Sequence, residues 1–426
     1  MKVLIKQATI VNTASPLNGL TKDILIIDGV INAIADTINE PADQLIVQDN
    51  LHVSIGWIDI YSHFCDPGLE YRETLETGAN AAAAGGFTDV FVLPNTHPVI
   101  HNKLQVEYII QKSKGLVANI HPLAAITKNA DGAELAEMYD MHQNGAVAFT
   151  DGINSTQSPG LLLKALQYVL AFDGTIIQVA DDKSIAPQGL MNEGIVSTQL
   201  GLPGKPAIAE ELMIARDIEL VKYTGSKLHF TGVSTKKGIE LINNAKAAGL
   251  NISFSVTPYH AVFNEEDLRQ YDTNLKVNPP IRTTGDMLAV RAAILDGTAD
   301  AIASHHIPQN YDNKVCEFEY AKNGMIGLES LFGVICKNLP LDTTDNGWNL
   351  NKLITLLSAS PRKIFNLALP EIKEGATACL TIFNPQSDYI FEAAMVASKS
   401  KNTPFIGIQL KGKVYGIING DKTYFN

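Results

Sequence analysis

Residues 56–98 read GWIDIYSHFCDPGLEYRETLETGANAAAAGGFTDVFVLPNTHP. WIDI is a short apolar run, ETGANAAAAGGF places apolar and small residues at helical spacing, and TDVFVLP is a second apolar run. Strand, loop, helix, strand is the repeating unit of a parallel α/β fold. Working outward, the unit recurs: IHPLAAIT, AVAFT, TIIQVA, KLHFTGV, ISFSVT and ADAIAS bring the strand-like runs to eight. Helix-like segments such as KLQVEYIIQKS, SPGLLLKALQYVL, AIAEELMIARDIELVKYT and MLAVRAAILDG lie between them. Eight units in succession predict a (β/α)8 barrel over residues 56–369, with functional side chains at the C-terminal ends of the strands.

Upstream, residues 1–55 read as short strands broken by turn residues, as in VLIKQATIVN, ILIIDGVINAIA and QLIVQDNLHV. Downstream of the helical LITLLSASPRKIFNL, residues 370–426 form a β-rich tail running through GATACLTIFNP and FIGIQLKGKVYGIING. The two ends are expected to pair into one small β-sandwich beside the barrel. At 426 residues and 46% hydrophobic composition, the chain can fill both cores without staples.

Charge narrows the partners. Lys and Arg number 33 against 45 Asp and Glu, a net charge of −12 that repels nucleic acid and anionic membrane surfaces. Cys65, Cys316, Cys336 and Cys379 are far apart and form no CxxC pair, which fits a reducing cytoplasm rather than a disulfide framework. The strand-like start MKVLIKQATIVN lacks the features of a signal peptide, and no apolar run approaches a membrane span. The glycines of AAAAGGFTDV and NPPIRTTG belong to no phosphate-binding motif and read as turn and packing residues.

In chain order, the candidates at the strand ends are Tyr61 and His63, Asn95, Asp151, Gln178, Gly232, Asn278, and the pair His305–His306. The 59–68 segment DIYSHFCDPG and the AAAAGGFTDVFVLPNTHP that follows are where a resemblance becomes specific. Further segments in the same order are GAVAFTDG, LHFTGVSTKKGIELI, VTPYH, KVNPPIRT, ASHHIPQ, NGMIGLES and SKNTPFIG. Together they span almost the whole chain and resemble the dihydroorotase branch of the amidohydrolase superfamily. The resemblance implies two divalent metals, held by a His-x-His after the first strand, an acidic bridge after the fourth, single histidines after the fifth and sixth, and an aspartate after the eighth. Such a centre activates water for ring-amide hydrolysis.

Mapped through the resemblance, His63 and Asp151 stand as remaining ligands, and His305 and His306 are possible additions. Tyr61, Gln178, Gly232 and His305 stand where four metal ligands are implied, His305 taking the place of the general base. A ligand must offer a lone pair at about 2 Å, which glycine cannot. Cys65 replaces the arginine that clamps the substrate carboxylate, and a thiol makes no bidentate pair. Asn95 and Asn278 match polar contacts to substrate, Gln309 replaces a histidine, and Tyr259 replaces another. For His63 and Asp151 the plainer reading is a buried hydrogen-bonded pair. His97, His101 and His260 read as polar or surface residues. A Cys65 nucleophile with His63 as its base has no third residue to orient it.

These losses predict a non-catalytic protein without a cofactor, serving as a structural or regulatory subunit in pyrimidine biosynthesis. By the resemblance, its partner is aspartate carbamoyltransferase, in an assembly that includes homo-oligomers. The alternative is an active zinc-dependent dihydroorotase, or another cyclic amidohydrolase, using His63, Asp151, His305 and His306 around one metal.

Overall fold

A computed structural model describes residues 1–341 and 348–426. Its centre is an eight-stranded parallel sheet with its strands in sequence order: Trp57–Ser62, Phe87–Val92, Asn119–Ala124, Ala148–Phe149, Thr175–Gln178, Lys227–Phe230, Ile252–Val256 and Ala301–Ile302. A parallel bridge between Ser62 and His306 joins the last strand to the first and closes the barrel at its C-terminal end. Every apolar run read as a barrel strand is one. The alternation of a strand explains the two cores. Ile176, Leu228, Phe230, Ile252 and Phe254 face outward onto the helices. Ile58, Ile60, Phe91, Leu123, Ile177 and Val179 face inward and fill the barrel.

On the sixth and seventh strands the inward positions are polar, and they satisfy one another. His229 pairs through Nδ1 with Ser253 Oγ at 2.8 Å and through Nε2 with Ser255 Oγ at 3.0 Å. Ser255 donates to Thr231 Oγ1 at 2.9 Å, and Thr231 meets His305 Nε2 at 2.8 Å. A neutral chain of this kind avoids the cost of burying unpaired polar groups.

The helices begin on local caps just beyond the strand-end loops. Thr74 and Thr77 form a reciprocal capping box at the start of Leu75–Ala84. Ser158 caps Pro159–Val169, with proline at the first turn. Thr235 caps Lys236–Ala247, and Thr283 caps Thr284–Leu295.

Both chain ends build a second eight-stranded sheet. Leu380–Phe383 pair antiparallel with Ile55–His52, which stitches the C-terminal strands Cys379–Ile390, Gln409–Asn419 and Lys422–Phe425 to the N-terminal ones. Val3, Ile5, Ile24, Val53, Leu380 and Ile418 share its core. The composite domain is therefore hydrogen-bonded as one continuous sheet. Among the described residues, no helix is long and apolar enough to cross a membrane.

Candidate functional site

The barrel mouth opens as a cavity of about 620 Å³ at the C-terminal ends of the strands. His63 follows the first strand and is buried. Its Nδ1 accepts from the Cys65 backbone N–H at 2.9 Å, and its Nε2 lies 3.0 Å from the Asn95 carbonyl. The ring proton therefore sits on Nε2, and both nitrogens are committed to backbone. Burial, assisted by the Arg72 charge, pushes its pKa down to about 3. Asp151 follows the fourth strand and spends both oxygens on Thr127, whose N–H and hydroxyl each donate at 2.9 Å. Burial raises this carboxyl to about 6. Asn95 ties the two loops together, donating to the Asp151 carbonyl at 3.0 Å and accepting from Ile153 N–H at 3.0 Å.

His305 is buried beneath Tyr61, the two rings stacked 4.2 Å apart at 26°. Since Ser255 donates to Thr231, the Thr231 hydroxyl donates onward to His305 Nε2, and the ring proton lies on Nδ1. That Nδ1 is buried without a hydrogen-bond partner among the described residues. The ring also explains the glycine opposite. A Cβ on Gly232 would lie 2.5 Å from His305 Cε1, and Gly232 adopts φ +69°, a left-handed conformation that favours glycine. His306 turns away from the mouth. Its Nδ1 accepts from Gly327 N–H at 3.3 Å, and its Nε2 faces Glu73 at 3.5 Å, within ion-pair reach but without hydrogen-bond geometry.

One expected mouth residue is placed elsewhere. Gln178 points outward to Thr156 and to Asp217 on the helix Ile208–Thr224. Val179, one position on, lines the mouth instead. The correction follows from the two-residue period of a strand, where a slip of one reverses the face. Like Gln178, Val179 makes a poor metal ligand. Cys65 is fully buried, and burial pushes its thiol up to about 12. The His63 imidazole meets the Cys65 backbone N–H, while the thiol turns to the His63 carbonyl at 3.7 Å, which removes the nucleophile reading. Asn278 is held between Lys205 at 2.9 Å and Asp181 at 3.3 Å. Gln309 donates to the Asn323 carbonyl at 2.7 Å and accepts from Asn313 at 3.2 Å. His260 is tied to Thr257 and to the Pro279 carbonyl, away from any ligand role.

The residues present do not fit a two-metal centre. Among the described residues, no three His, Cys, Asp or Glu side chains gather to hold an ion. His63 has no free lone pair, the free nitrogen of His305 carries a proton, His306 faces Glu73, and Asp151 is engaged by Thr127.

A family model described as Dihydro-orotase-like matches residues 52–238. The dihydroorotase of Geobacter sp. (strain M21) is 38% identical over 430 residues, covering 100% of this chain and 99% of its own. That of Syntrophus aciditrophicus (strain SB) is 38% identical over 418 residues, covering 97% of each. The chain belongs to the dihydroorotase family. Among solved structures, the L-hydantoinase (dihydropyrimidinase) from Arthrobacter aurescens superposes with a TM-score of 0.82 at 22% identity, over 99% of this chain and 95% of that one. That likeness shows the shared fold: an amidohydrolase barrel with a separate sheet domain.

This dihydroorotase-family mouth also contains residues that the motifs did not point to, chiefly Arg72, Lys322 and Val179. Arg72 sits in EYRE just after the first-strand motif and Lys322 in AKNG just before GLES. Their signal was position in loops that follow barrel strands.

Proposed function

We propose that this dihydroorotase-family protein does not hydrolyse a cyclic amide through a metal centre and acts as a structural or regulatory subunit, with aspartate carbamoyltransferase as the partner named by the family resemblance. The observation that carries this reading is the closed hydrogen bonding of His63, between the Cys65 N–H and the Asn95 carbonyl, and of Asp151 on Thr127. A metal has to displace those contacts before it finds its first donor. The test is zinc content and dihydroorotate hydrolysis of the purified full chain after growth in zinc-supplemented medium. Sub-stoichiometric zinc and no turnover are expected; stoichiometric zinc with chelator-sensitive ring opening overturns the reading. Co-purification with the carbamoyltransferase tests the partner, and clean separation at cellular concentrations removes it.

A second reading has its own support, and the comparisons favour it. Full-length relatives at 38% identity carry the name dihydroorotase. On this reading the chain is an active zinc-dependent dihydroorotase or a related cyclic amidohydrolase, with His63, Asp151, His305 and His306 as its donors. It requires Thr127 and Asn95 to release Asp151 and His63, and the hydrogen-bond chain ending at His305 to reverse. The same zinc and turnover measurement separates the two readings.

A further inference from the structure

Where the barrel meets the sheet domain, a second cavity of about 460 Å³ opens between the end of the helix Leu75–Ala84, the turn before the helix Leu331–Asn338 and the C-terminal strands. It shares no lining residue with the mouth. Tyr389, Phe391, Tyr424 and Phe425 give it aromatic walls, and Glu329 is the one acid among the described residues that line it. Lys413 also lines it, but its ammonium lies 5.8 Å from the centroid of the Tyr415 ring and forms no ion pair among the described residues.

Glu329 is only 8% exposed, yet little in the protein accounts for its charge. Its carboxylate accepts from the Ser398 N–H at 2.9 Å and from its own backbone N–H, and no cation pairs with it among the described residues. Its neighbour Glu73 is served far better: it accepts from the hydroxyls of Thr77 and Ser398 and from the Lys399 N–H at 3.2 Å, and it faces His306 at 3.5 Å. Burial, with the Glu73 charge behind it, pushes the Glu329 carboxyl above its ordinary range. A backbone N–H asks only for a neutral acceptor, and a buried carboxylate is a costly way to supply one. The charge on Glu329 is thus unexplained by the fold, and it belongs to the wall of a cavity.

We propose that this cavity binds a small primary amine as its ammonium ion, the N–H groups donating to Glu329 and the apolar body lying among Tyr389, Phe391 and Tyr424. A carboxylate with spare lone pairs favours a cation that can donate to it, and aromatic faces suit both the charge and an apolar stem. The cavity has the size that takes small organic ligands. This site goes beyond the reading of the mouth and stands whether or not the mouth turns over a substrate.

The test is titration calorimetry of the purified full chain at neutral pH, with phenethylamine, its uncharged counterpart phenylethyl alcohol and the anion phenylacetate as probes. Saturable binding of phenethylamine is expected, about tenfold or more tighter than the alcohol, with phenylacetate silent. Glu329→Gln keeps an acceptor for the Ser398 N–H and removes the charge; it is expected to weaken the amine about tenfold and leave the alcohol unchanged. Ala394→Trp, a change at an exposed position on the cavity wall, is expected to fill the space and abolish binding of both. Should Glu329→Gln fail to fold, Ala394→Trp carries the test. The proposal is overturned if phenethylamine does not bind at about 10 mM, if the alcohol binds as tightly, or if either folded variant binds the amine as the parent does.

Discussion

Two sets of polar residues in the same barrel have met different fates. In the frame behind the mouth, the buried Glu210 carboxylate accepts from the N–H groups of Ser234 and Thr235 and the Thr235 hydroxyl, each at 2.9 Å, and from the Ser234 hydroxyl. Arg282 lies 3.5 Å away and also holds Asn192 and the Lys205 carbonyl. In the mouth itself, His305 Nδ1 has no partner among the described residues, Gly232 has no side chain, and Tyr61 offers a ring face. The frame is satisfied by the protein, so folding alone maintains it. The mouth positions are held instead by ring packing and by contacts to backbone.

That contrast predicts where substitutions hurt. Glu210→Ala is expected to cost about 3–5 kcal/mol, because it strands the Arg282 charge and two loop N–H groups in a buried setting. Urea denaturation measures it, and a loss under about 1 kcal/mol breaks the comparison at its stronger end. Gly232→Ala comes next, at about 1–3 kcal/mol, from the clash with His305 and the left-handed backbone. Adding His305→Ala should return the steric share. A double-mutant coupling of about 0.5 kcal/mol or more is therefore expected, and strict additivity argues against the two sites forming one packed unit.

The same coupling marks the limit of what the sequence makes legible. All eight barrel strands show as runs rich in apolar residues, because the outward core demands them throughout and the inward one on every strand but the sixth and seventh, where His229, Ser253 and Ser255 face in. Tyr61 and Gly232 can be read one by one as replaced ligands, and His305 as a replacement that could still bind. That the His305 ring fills the space beside Gly232 depends on a loop conformation after the eighth strand that no local pattern encodes. Gln178 illustrates a different failure, since a strand end read from an apolar run is uncertain by one residue and one residue exchanges Gln178 for Val179. Arg72 and Lys322 stayed silent because what holds them, the Pro308 carbonyl and the Lys314 ammonium, reaches them only through the fold.

Acid sharpens the comparison at intermediate strength. His63, His229 and His260 are buried, with pKa values pushed down to about 3, and burial also lowers His305. The unfolded chain binds protons on these rings from about pH 6.5 downward while the folded chain refuses them, so stability is complete above about 6.5 and falls as pH drops towards about 3. Asp151 and Asp217, raised to about 6, act in the opposite sense, favouring the folded protein as pH falls from about 6 to 4. Burial raises Asp59 and Glu329 in that same sense, whereas Asp89 and Glu73 are held low by their partners and side with the four rings, which leaves the rings dominant. The urea midpoint is expected to be lower at about pH 4.5 than at 7, and an unchanged midpoint argues that the mouth and core rings are hydrated rather than sealed.

The smallest effect belongs on the outer helices. Lys237 and Glu240 pair at 3.5 Å one turn apart, with side chains 57% and 47% exposed. Water screens such a pair, and ordering two long side chains offsets most of the attraction, so Lys237→Ala should shift stability by no more than about 0.5 kcal/mol. The value lies in its contrast with Glu210, an acid that also serves a helix start but does so in the absence of water. If the exposed pair cost as much as about 2 kcal/mol, burial would not be what separates the frame from the rest of the molecule, and the outer helices would have to be counted among the elements that hold the barrel shut.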